Sequence, residues 1–337
     1  MIELLIKILI SILPVIIFLI ALIFLDSYKL VRFRFVLAAI AMGFVAAVAC
    51  LIINNDLQGL MKLDATQYSR YIAPIVEELL KAAFMVYVIR SRRVGFLVDA
   101  AILGFALGTG FAIFENMYKL SSLAESGMFL WIVRGFGTAV MHGGATAVFA
   151  VISKSLSERR GSESMWVYLP GFMFVAVIHS TYNHFFLAPA LSAAALVIGL
   201  PLIMIIVYQQ SEKATQRWLG VGFDTDKDLL GMITTGDIEQ THLGQYLLSL
   251  KERFSGEVVV DMLCLLRIHL ELSIRAKAIL LLRENGFDVP RDLTVRAKFD
   301  ELRYLETSIG RTGRFAIMPV LRWNSRDLWQ LHMLEGE

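Results

Sequence analysis

Apolar runs long enough to cross a bilayer as helices recur through the first 209 residues. The pattern breaks at Ser211, after which charges return at the density of a soluble domain. Seven spans can be drawn, at residues 4–25, 35–53, 71–89, 94–118, 128–152, 165–187 and 190–208. The expected architecture is all-α: a polytopic membrane helix bundle over 1–209, with a candidate core at 71–187, followed by a helical cytosolic domain over 210–337. The first span lacks a small-x-small site before Asp26 and reads as an uncleaved anchor rather than a leader. Pro189 marks a turn between the last two spans and predicts a hairpin there.

The tail carries helical periodicity of its own. Residues 236–254 place Leu243, Leu247 and Leu250 at helical spacing, and Ser255 with Glu257 opens a second helix that Asn285 and Gly286 would stop. Residues 258–282 are apolar enough to resemble a span, but Asp261, Arg267, Glu271, Arg275 and Lys277 interrupt them. A third helix is expected near Pro290 and Asp292, and a fourth after Pro319, with Trp323 and Trp329 as apolar anchors. The run Asp224, Asp226, Asp228 imitates the start of a calcium loop, yet position six is Leu229 and position twelve is Thr235, so it reads as a solvated turn. His242, His269 and His332 read as surface or packing residues.

Composition agrees with a membrane protein: 57% of the 337 residues are hydrophobic, 18% are charged, and mean hydropathy is +0.63. The net charge of +2 matters less than its placement. Lys29, Arg32, Arg34, Arg90, Arg92, Arg93, Lys154, Arg159 and Arg160 fall in one set of loops, against Lys62, Arg70 and Lys119 in the other. That bias puts the first set in the cytoplasm, the amino terminus outside and the tail inside. Cys50 lies in a span and Cys264 in the tail, in different compartments on this reading, so neither a disulfide nor a cysteine metal site is expected.

Four successive spans carry polar residues that lipid does not accommodate: Glu77, Glu78 and Lys81; then Glu115 and Asn116; then His142; then His179 and Asn183. Ionisable groups at bilayer depth rarely face lipid, so the set implies one shared polar chamber. Glu77 and Lys81 are four apart with the acid first, which predicts a same-face ion pair and leaves Glu78, about 100° away, free for chemistry. Gly104, Gly108 and Gly110 allow close helix approach and are explained by packing. The bland reading of Glu115 and Asn116 places them at the outer interface, where polar residues are tolerated. His179 and Asn183, four apart, share a helix face, while His184 is rotated away and stays outside the site. Counted from the outer loops, the glutamates of the third span and His179 lie about 10–12 Å inward, so the chamber would take its water from outside.

Carboxylates, imidazoles and an amide around water are the parts of peptide-bond hydrolysis. A carboxylate beside a low-dielectric wall can act as base and then acid, histidine can hold a metal or polarise a carbonyl, and asparagine can donate to an oxyanion. Glu115, His142 and His179 are three donors suited to a divalent metal such as zinc. The competing class is a receptor or transporter that uses the chamber for binding, although the inverted repeats and broken helices common in transporters are not evident.

The order Glu-Glu-x-x-Lys, Phe-x-x-x-Glu-Asn, a histidine span, then His-x-x-x-Asn, from Pro74 to Asn183, resembles the PrsW family of intramembrane proteases, relatives of the type II CAAX prenyl proteases. The resemblance implies an active site of Glu77, Glu78, Glu115, His142, His179 and Asn183, supported by Lys81 and Asn116. It also implies site-1 cleavage of a membrane-anchored anti-sigma factor at the inner membrane of a bacterium. The CAAX branch typically has histidine and arginine where this chain has Glu115 and Lys81, which favours the PrsW branch. Expected partners are the bilayer and a membrane-protein substrate, with no nucleic acid. The tail lies outside the resemblance.

Overall fold

A computed structural model describes residues 2–26, 28, 31–123, 125–160, 164–287, 293–321 and 325–335. Lys29, Pro290, Asp292 and Trp323, used in the expectations above, lie outside the described residues. The described chain is helical, without strands, and divides into two compact units, Met1–Ser211 and Glu212–Glu337.

The first unit contains α1 (Ile2–Phe24), α2 (Phe33–Met61), α3 (Ala73–Arg90), α4 (Leu97–Leu123), the short α5 (Met128–Val133), α6 (Val140–Arg160), α7 (Leu169–Asn183) and the start of α8 (Pro189–Thr235). Helices occupy all seven expected span positions, and six are long and apolar enough to cross a membrane. The exception is α3, only 18 residues long, into which Glu77, Glu78, Lys81 and Arg90 all fall. Ala188 accepts the first backbone bonds of α8, so the turn lies where Pro189 predicted it. Beyond it α7 and α8 share few close approaches, and the expected hairpin is not a packed one.

The bundle is organised around α4, which packs most extensively against α2 and α6. Of its most apolar stretch 83% is buried, against 28% for α1, so α4 is the axis and α1 a lipid-facing wall. Leu9, Leu13, Ile17 and Ile20 of α1 are accordingly exposed, as a helix solvated by lipid tails requires. Glycine sets the approach of the neighbours. A Cβ on Gly108 would lie 2.2 Å from the carbonyl oxygen of His142, and one on Gly110 would lie 1.9 Å from that of Ile40. Only a hydrogen at these positions lets the backbones of α6 and α2 lie against α4.

Two π-helical turns, Tyr68–Ile72 before α3 and Arg134–Ala139 before α6, each sit just ahead of a helix that carries polar candidates. Such bulges often occur where a functional side chain must be re-aimed.

The second unit contains the rest of α8, then α9 (His242–Ser249), α10 (Gly256–Glu284), α11 (Leu293–Ser308), α12 (Gly310–Ile317) and α13 (Ser325–Glu335). Thr241 caps α9 and Ser255 caps α10, whose end at Asn285 is followed by Gly286 at a φ of 78°. α10 is the centre of this unit, with Met262, Leu265, Leu266, Leu272, Ala276 and Leu280 buried on it. The aspartates at 224, 226 and 228 correct the expectation of a solvated turn, because they lie within continuous helix α8. There Asp226 pairs with Lys277 at 2.5 Å, a partner that local sequence does not reveal.

Candidate functional site

The polar residues of α3, α4, α6 and α7 meet inside the first unit. The Nζ of Lys81 lies 2.6 Å from Oε1 of Glu78, one turn back on α3, with side-chain exposures of 0% and 1%. Nδ1 of His179 is 2.8 Å from the same Glu78 oxygen, and Nδ1 of His142 is 3.2 Å from Lys81 Nζ. Nε2 of His142 is 2.7 Å from Oε2 of Glu115. The two imidazoles stand at right angles with centroids 4.9 Å apart, and Phe111 lies beneath the Lys81 ammonium at 4.7 Å. Lys81 and Glu78 thus lie buried with partners on several sides, the condition under which a buried ion pair is tolerable.

Three features depart from the sequence expectations. Lys81 pairs with Glu78 at three residues' spacing and not with Glu77 at four. Both spacings place the partners on one face, and His179 arriving from α7 fixes Glu78 as the inner carboxylate. Glu77 is therefore the less committed acid. Its side chain is 16% exposed, Oε1 is 3.5 Å from the Asn54 amide, and Oε2 is 3.9 Å from Nε2 of His179.

The second departure concerns Glu115. Expected within the chamber as a candidate metal donor, it lies in the cluster with its carboxylate spanning Arg134 at 2.9 Å and His142 at 2.7 Å, so it backs His142. Asn116 accepts from Arg134 Nε at 2.9 Å and donates to the Ser11 carbonyl at 2.8 Å, clipping α1 to the site. Sequence reading missed Arg134, although a lone arginine inside the expected span at 128–152 was a usable signal.

Asn183 is the third. Its amide donates to the Ser69 carbonyl at 2.9 Å, while Ser180 donates to the Arg70 carbonyl at 2.6 Å. The two anchor the π turn that leads into α3, and no contact joins Asn183 to the histidines among those described. The amide expected to face an oxyanion is engaged in holding backbone.

The arrangement suits a cation. One ligand atom each from Glu77, His142 and His179 lies within 4.8 Å of the others, a carboxylate and two imidazoles, as in open catalytic zinc sites. This set shares His142 and His179 with the expected set and has Glu77 where that set had Glu115, whose oxygens lie against Arg134 and His142. Each imidazole has a carboxylate at its other nitrogen, Glu78 behind His179 and Glu115 behind His142, the outer-shell pattern that orients metal-ligating histidines.

The sequence pattern of the PrsW family intramembrane metalloprotease matches residues 32–209, more than half of the chain, and covers every residue of the cluster. No curated protein and no solved structure matches the chain.

Proposed function

Because the chain belongs to the PrsW family of intramembrane metalloproteases, we propose that it hydrolyses a peptide bond of a membrane-anchored protein at the cluster of Glu77, His142 and His179. The observation that carries this reading is the pair of imidazoles, each backed by its own carboxylate, converging with the one glutamate whose lone pairs are largely unclaimed. Membership in a protease family weighs against the receptor or transporter reading.

Glu77, His142 and His179 would hold the metal. When bound, it would polarise the scissile carbonyl and make water a better nucleophile. Glu78 and Glu115 keep the two imidazoles in one tautomer, with Lys81 and Arg134 neutralising the carboxylates that do so. The oxygen of Glu77 that is not on the metal would take the water's proton as the carbon–oxygen bond forms and return it to the departing amine as the carbon–nitrogen bond breaks. Burial of the surrounding wall excludes bulk water and strengthens each of these interactions.

A second reading has its own support. The Lys81 ammonium already stands 3.2 Å from Nδ1 of His142, the ring atom that Glu115 leaves over. Lys81 would then supply the positive charge, and Glu77 would serve as base in a glutamic protease without a metal. The anti-sigma factor substrate rests on the motif resemblance, and the bacterial inner membrane with the tail in the cytoplasm rests on that resemblance and the loop charges.

The test is cleavage of a single-span reporter by the purified protein, with metal content measured by mass spectrometry. Glu77→Gln and His179→Ala are expected to abolish cleavage. Cleavage by Glu77→Gln at the parent rate overturns both readings. A chelator that strips the metal and stops cleavage, with recovery on zinc, supports the first reading. Full activity in metal-free protein overturns it in favour of the second.

A further inference from the structure

Glu115 orients His142 and Glu78 orients His179. The third candidate ligand, Glu77, is held differently. A glutamate ends in a broad, two-fold torsion that readily exchanges its oxygens, yet Glu77 has to send one oxygen to the metal and keep the other for the water's proton. Its Oε2 lies 3.9 Å from Nε2 of His179, and its Oε1 lies 3.5 Å from Nδ2 of Asn54 on α2. The two oxygens face different neighbours.

The direction of the Asn54 contact is fixed by what stands behind it. A ligating carboxylate only accepts, so Asn54 must present its amide nitrogen to Glu77 and turn its Oδ1 to the other side. There the Tyr68 hydroxyl donates to Oδ1 at 2.9 Å, from a side chain only 4% exposed. Tyr68 opens the π turn Tyr68–Ile72, whose Ser69 and Arg70 carbonyls accept from Asn183 at 2.9 Å and from Ser180 at 2.6 Å. The helix that brings His179 to the site therefore also holds the turn that carries Tyr68.

We infer that Asn54 and Tyr68 are positioning residues for Glu77: the Tyr68 hydroxyl locks the Asn54 amide, and the amide holds Oε1 aside so that Oε2 is the metal ligand. This rests on the metal reading of the site. Asn54 occupies one lone pair of Oε1 and leaves the second for the proton. All three ligands then have an outer partner, and such partners are worth about 10–100-fold in metal affinity or activity. Both residues act through Glu77 and not on the substrate.

Zinc affinity of the purified full-length protein, read by competition with a chromophoric chelator, tests this beside cleavage of the single-span reporter. Asn54→Leu should weaken zinc binding and lower kcat by about 10–100-fold each, with KM within about twofold and a melting midpoint within a few degrees of the parent's. Tyr68→Phe should lower both by less, about threefold to tenfold, and the double variant should fall no further than Asn54→Leu alone, because the hydroxyl acts only through the amide. Asn55→Ala, at the exposed neighbour on α2, should match the parent. Zinc binding lost in Glu77→Gln but kept in Asn54→Leu would overturn the positioning role and leave the metal reading standing. Parent zinc affinity in Glu77→Gln would overturn both. Losses that multiply in the double variant would overturn the line through Asn54, and a loss of affinity that only tracks a lower midpoint would reduce Asn54 to packing of α2 on α3.

Discussion

Replacing Glu78 by alanine strands a buried lysine. In the parent protein Lys81 Nζ and Glu78 Oε1 are 2.6 Å apart and both side chains are almost fully shielded. Removing one partner of a buried pair costs about 3–5 kcal/mol, mostly the penalty of the charge left behind. Lys81 keeps an acceptor in His142 Nδ1 at 3.2 Å, which places the expected loss near the lower end, about 3 kcal/mol. For a unit of this size that corresponds to a melting midpoint roughly 6–12 °C lower. Cys50 is buried in α2 beside Phe111, so its reaction with a thiol-reactive fluorophore reports opening of the site in a Cys264→Ser background. The double variant Glu78→Leu/Lys81→Met replaces the pair by apolar groups and should recover most of the midpoint while remaining inactive, because His179 has lost its orienting carboxylate. A Glu78→Ala protein that melts with the parent, or a double variant no more stable than the single, refutes the claim that Glu78 and Lys81 are a mutually dependent buried pair.

Further outcomes follow from the same geometry. Arg134→Met should lower cleavage about 10–100-fold while leaving the helical content intact, because Glu115 loses its anchor and His142 its fixed orientation; circular dichroism beside the reporter assay checks both. Gly108→Val should destabilise the bundle by at least about 1–3 kcal/mol and lower activity as well, since its Cβ would collide with the His142 carbonyl, with the Cys50 reaction as readout. In the tail, His269 binds a proton less readily folded than unfolded, its pKa pushed down from 6.5 to about 4. The stabilisation from its neutral, buried form is complete above about pH 6.5, falls as pH drops towards about 4, and amounts to about 3 kcal/mol. Hydrogen exchange of α10 between pH 7.5 and 4.5, corrected for intrinsic rates, should follow that slope, and His269→Asn should flatten it.

Much of this protein could be read before any coordinate. Apolar run lengths place the span helices, and the caps at Ser255 and Gly286 bound α10, because backbone hydrogen bonding and helix-end chemistry act over a few residues. The gathering of Glu77, Glu78, Glu115, His142 and His179 was also legible, since ionisable groups in lipid must find one another. The pairing within that gathering was not. Lys81 reaches either glutamate from its own helix, and a histidine from α7 breaks the tie. Arg134 reaches Glu115 across 19 residues and Asp226 reaches Lys277 across 51, while Asn183 turns its amide to a carbonyl 114 residues back. Local periodicity says which side of a helix a group occupies. Only the packing of one helix on the next decides which lone pair it meets, because that depends on distances of a few ångströms that glycine contacts such as Gly108 against His142 set between helices.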